Sequence, residues 1–101
     1  MDIRREPRYS ISTRGRYRRG FGVRFDVNIK NLSEYGCHFT DLIGRLQPGE
    51  EITLRIGDVG PLAARVRWME DHRAGVEFDH PLYPAVLDHI VAAGGVDANA
   101  V

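Results

Sequence analysis

At 101 residues with 43% hydrophobic side chains, the chain is sized for one domain with a core of its own. Its single cysteine excludes an internal disulfide, and the absence of an apolar run approaching ~18 residues predicts neither a leader peptide nor a membrane span, in keeping with a cytoplasmic protein. Net charge is zero but uneven: residues 1–30 carry eight arginines and Lys30 against three acids, +6, and residues 31–101 carry five arginines against eleven acids, −6.

In chain order, residues 1–8 read as a flexible arm. Pro7 lacks an amide hydrogen and turns Glu6 toward extended geometry, so a helix is disfavoured. Residues 9–19 read as a basic strand interrupted by Gly15, and Gly20 and Gly22 mark a turn. Phe21, Val23, Phe25, Val27 and Ile29 then alternate with Gly22, Arg24, Asp26, Asn28 and Lys30, which predicts a strand with one buried face. Asn31–Gly36 ends it: Asn and Ser bond to nearby backbone in turns, and Gly36 can take a positive φ. Cys37 and Phe39 suggest a short strand. Pro48-Gly49 makes a turn before the alternating Ile52, Leu54 and Ile56. Leu62, Ala64, Val66 and Trp68 read as one buried face of the next strand, and Gly75–Phe78 as the last. Leu82, Val86 and Ile90 then follow helical spacing, with Pro84 in a first turn and Gly94-Gly95 as the stop. Six short strands at regular spacing predict a small barrel or sandwich, mainly β, with one C-terminal helix.

Two constellations carry chemistry. Arg4-Arg5-Glu6-Pro7-Arg8 offers three guanidiniums, which grip phosphate in two places, stack on flat rings and pair with the O6 and N7 edge of guanine. Asn31 both donates and accepts, so it can read a base edge; Ser33 adds a short hydroxyl, and Gly36 leaves room for a ring. Taken singly, the first reads more readily as a solvated tail and the second as a plain turn.

With its R-x-x-x-R spacing, Arg4-Arg5-Glu6-Pro7-Arg8 followed by Asn31-x-Ser33-x-x-Gly36 resembles the paired signature of the PilZ domain. Pro48-Gly49 before Ile52-Thr53-Leu54, Val66-Arg67-Trp68 and Gly75-Val76-Glu77-Phe78 are similar to its later strands. The resemblance runs from about Arg4 to the C-terminal helix. It implies a six-stranded antiparallel β-barrel over 9–79, a helix over 81–93 closing one end, and a ligand-binding arm over 1–8, all within one domain of residues 1–95, with 96–101 a disordered tail. It further implies binding of the second messenger cyclic di-GMP in bacterial signalling. By that analogy Arg4 and Arg8 meet phosphate and guanine, Arg5 assists, Asn31 and Ser33 meet the other base edges, and Gly36 shapes the turn. The family takes Asp or Asn at the position of Asn31.

Arg14, Arg16, Arg18 and Arg19 read as the charges of a solvated edge strand, where they discourage sheet-to-sheet pairing, with a secondary role in phosphate or partner contact as the alternative. His38, His72, His80 and His89 show no metal-ligand spacing, and Cys37 and His38, adjacent on a strand, face opposite ways, so no metal, cofactor or catalytic pair is expected. Trp68 reads as core, with a place bordering the ligand as the lesser alternative. The expected protein is a monomeric, non-enzymatic receptor acting on a downstream protein, without membrane or nucleic-acid binding. Two alternatives stand beside it: an interaction module that ignores nucleotide, and a small barrel that binds single-stranded nucleic acid, with Tyr9, Tyr17 and Tyr35 as stacking candidates.

Overall fold

A computed structural model of the chain describes residues 8–43 and 45–94; Arg4 and Arg5 lie outside them. Six antiparallel strands, β1 (Tyr9–Arg18), β2 (Arg24–Leu32), β3 (Gly36–Thr40), β4 (Glu51–Ile56), β5 (Val59–Glu70) and β6 (Arg73–Phe78), close into a barrel in the order β1-β2-β3-β6-β5-β4. One helix, α1 (Pro84–Gly94), follows. It starts at a proline, whose missing N–H costs nothing in a first turn.

The period-two alternation explains the core. Ile29, Phe39, Leu54, Ile56 and Val66 point inward from their strands and are fully buried. Each such side chain contributes roughly 1.5–3 kcal/mol by leaving water. Tyr17 lies stacked between Phe25 and Phe39, with ring centroids 5.2 and 5.7 Å away. Its hydroxyl donates to Asp41 Oδ1 at 2.7 Å, and Asp41 Oδ2 accepts the Leu46 N–H at 3.2 Å. Burial and the Asp41 carboxylate both push the phenol well above its ordinary pKa. This bond ties the loop after β3 to the barrel floor.

Leu87 and Ile90 of α1 enter the same core. The Leu82 N–H donates to the Glu34 carbonyl at 2.8 Å, and His89 Nε2 meets Asp58 Oδ1 at 2.9 Å. The helical segment is therefore held to the β2–β3 and β4–β5 turns, which lie at one end of the barrel.

Three sequence expectations are corrected. First, the alternation that begins at Phe21 outruns the strand: β2 starts only at Arg24, and Phe21 and Val23 are 98% and 71% exposed. Gly20 adopts a positive φ, and the Gly22 N–H bonds to the Arg19 carbonyl, so these residues belong to the hairpin turn. Second, Trp68 is not core; it is 41% exposed. The β5–β6 register shifts between Val66 and Trp68, a bulge that inverts the facing of every later side chain. Third, β1 is not an edge. It pairs with β2 on one side and β4 on the other, and it runs through Gly15 without a break.

Candidate functional site

The end of the barrel that carries the β2–β3 turn holds a cavity of about 230 Å³. Arg8, Ser33, Tyr35, Gly36, His38, Arg67, Trp68, Gly75 and Glu77 line it. Arg8, immediately before β1, donates from Nη1 to Asn31 Oδ1 at 3.2 Å across 23 residues of sequence. The antiparallel register makes this possible, because Tyr9 and Ser10 stand opposite Leu32 and Asn31.

Ser33 is 1% exposed, and its hydroxyl accepts the Tyr35 N–H at 3.1 Å. The Ser33 N–H in turn bonds to the Gly36 carbonyl at 2.9 Å, so the segment forms a tight turn stabilised by its own side chain. Gly36 is needed for space and not for a positive φ, which it does not adopt. A Cβ there would collide with the Val76 carbonyl oxygen, so a side chain would force β3 away from β6.

The cavity wall opposite the turn comes from β5 and β6. Arg67 Nε donates to Glu77 Oε1 at 2.6 Å. The Trp68 ring lies directly over Gly75, where any Cβ would overlap it. The His38 ring is tilted against Trp68, with centroids 5.9 Å apart. Partial burial holds the His38 imidazole below its usual pKa, and the positive charges of Arg73 and Arg8 add to the effect. Cations thus gather around a partly exposed flat ring. A wider concavity of about 900 Å³ opens between β2 and Leu42-Ile43, but none of the predicted site residues lines it. Among the described residues no cluster of His, Cys, Asp or Glu could hold a metal ion, and burial raises the Cys37 thiol pKa far above its ordinary value.

The PilZ domain family model matches residues 2–93. The chain belongs to the PilZ domain family. Its fold is similar to that of Bacillus subtilis inhibitor of motility (MotI/DgrA), with a TM-score of 0.66 and 15% identity over 92% of this chain and 52% of that one. It is also similar to MrkH, described as a c-di-GMP dependence transcription regulatory factor, with a TM-score of 0.58 and 16% identity over 90% of this chain and 49% of that one. The chain therefore spans about half the length of these two structures. Comparison with curated proteins found no match. No helix among the described residues is long and apolar enough to cross a membrane.

Within this PilZ domain, Arg8, Asn31, Ser33 and Gly36 come together at one end of the barrel. Sequence reasoning missed His38 and Gly75 as members of the same wall, and placed Trp68 beside the ligand only as the lesser alternative. The signal for the last two was present: a glycine seven residues after a tryptophan, in the facing strand of a hairpin, is a place for the ring to lie.

Proposed function

We propose that this PilZ domain is a receptor for cyclic di-GMP that works as an adaptor and not as an enzyme. The observation that carries the reading is the Arg8–Asn31 hydrogen bond on the rim of a cavity lined by a tryptophan. It sets a guanidinium, a base-reading amide and a stacking surface side by side, which suits a ligand with both phosphate and guanine. Membership of the PilZ family and the likeness to MrkH support the choice of ligand.

At about 230 Å³ the cavity is smaller than the roughly 300–1,000 Å³ of small-molecule sites, so the described residues form a floor and one wall. Arg4 and Arg5 would supply the cover. Ordering each arm residue costs roughly 1–2 kcal/mol, and a charge-assisted hydrogen bond returns about 1.5–3 kcal/mol. Closure therefore needs the ligand's phosphates as partners for several guanidiniums at once. The ordered arm would present a new surface to a downstream protein, which makes the domain a ligand-dependent docking element. His38 and Trp68 join the site in this reading, the tryptophan as a stacking face.

Calorimetric titration of the folded protein with cyclic di-GMP at low salt tests the proposal. Saturable binding with a change in Trp68 fluorescence is expected. A flat titration on protein shown to be folded would sink it.

A further inference from the structure

The arginines that the cyclic di-GMP reading leaves unused also form a cluster. Arg16 and Arg18 of β1, Arg24 of β2 and Arg55 of β4 line a second cavity, of about 440 Å³, on the outer wall of the barrel. The strand register brings them together in an unusual way. Arg16 stands directly across from Arg55, and Arg18 directly across from Arg24. Like charges at facing positions destabilise a sheet, so the fold carries two repulsive pairs side by side. Among the described residues, nearby carboxylates offset these charges only at Arg16. Asp26 takes Arg16 at 3.0 Å, while Glu51 turns to Arg65. Arg18 bonds to the Gly20 carbonyl at 3.2 Å, and among the described residues Arg24 and Arg55 make no ion pair. Among the described residues no acid lines the cavity.

Edge protection cannot account for these charges, because β1 and β4 each have a strand on both sides. A closed barrel has no open edge to protect. Arginine is instead suited to phosphate, which it binds through two parallel N–H groups. We infer that Arg16, Arg18, Arg24 and Arg55 form a second anion site, separate from the Arg8 cavity, that takes a phosphate-bearing ligand. Phe21 lies at its rim, 98% exposed on a hairpin turn between two glycines. That ring suits a phosphate carried by a lipid headgroup, with the phenyl group entering the apolar layer. A free phosphate compound would use the guanidiniums alone.

The test is a ¹H–¹⁵N titration of the full chain with inorganic pyrophosphate. Saturable shifts are expected at the amides of residues 16–24 and 53–56. Arg24→Gln and Arg55→Gln, whose side chains make no hydrogen bond or ion pair among the described residues, should each weaken binding about fivefold or more, while Arg8→Gln leaves it unchanged. Vesicles of phosphatidylglycerol and phosphatidylcholine in equal parts distinguish the sources. If both pyrophosphate and vesicles bind, and Phe21→Ser weakens only the vesicles, the site holds and its ligand is a headgroup. If pyrophosphate binds and vesicles do not, the site holds and its ligand is free in solution. The proposal is overturned if these amides do not shift, if Arg24→Gln and Arg55→Gln bind as well as the parent, or if only a single-stranded oligonucleotide binds.

Discussion

The two arginine clusters of this barrel are built on opposite principles. At the Arg8 end the cations have polar company: Arg8 meets Asn31, Arg67 meets Glu77, and a tryptophan lies flat on a glycine beside them. On the β1–β4 wall the arginines face one another across the strands, beside a phenylalanine with almost nothing covering it. The first arrangement holds its side chains in place before any ligand arrives. The second keeps like charges at facing positions, which Asp26 offsets only at Arg16. Net charge does not tell them apart; register does.

The largest way to break the comparison is Arg8→Ala. It should weaken cyclic di-GMP binding at least 100-fold, or about 2.7 kcal/mol, and leave pyrophosphate binding at the other cluster intact. Equal loss at both, measured by calorimetry, would mean that the clusters are one electrostatic field and not two sites. Gly36→Ala comes next. Its Cβ would meet the Val76 carbonyl, so chemical denaturation should show a loss of about 1–3 kcal/mol. Gly75→Ala should cost less than Gly36→Ala, because the half-exposed Trp68 ring can swing aside while the backbone cannot; its mark would be altered tryptophan emission.

His38 sharpens the comparison through pH. Its folded pKa lies below the free value of 6.5, so the unfolded chain binds its proton first as pH falls. The contribution of His38 to stability is therefore complete above about 6.5 and declines as pH drops toward the folded pKa. An NMR titration should show the depressed pKa, and bound cyclic di-GMP, being anionic, should raise it. Pyrophosphate on the far wall should not move it. The smallest expected effect is Arg55→Glu, which turns the facing Arg16–Arg55 pair from repulsive to attractive. A gain of about 0.2–1 kcal/mol in thermal or chemical denaturation is expected, together with loss of pyrophosphate binding.

Much of the barrel was legible because strands with one buried face announce themselves by alternation. Ile52, Leu54 and Ile56 are buried as that pattern requires. The pattern misled where the backbone changed phase. Phe21 and Val23 keep the alternation but lie in a turn, and Trp68 keeps it across a bulge that reverses its facing. A one-residue slip is invisible to periodicity yet moves a ring from core to surface. Gly36 was legible as a required glycine, but for the wrong reason, since the Val76 carbonyl that leaves no room for a Cβ lies forty residues away in β6.

The sequence alone determined which residue types were available: arginines concentrated in the first thirty positions, an Asn-x-Ser turn, and apolar alternation enough to build six strands. Their grouping was decided only in three dimensions. Closing the sheet set β1 against β4, which placed Arg16 against Arg55, and antiparallel pairing of β1 with β2 carried Arg8 to Asn31. The reason is geometric: side-chain direction follows from local backbone period, but neighbours across a sheet follow from register, and register is fixed by bulges and by burial of the whole core.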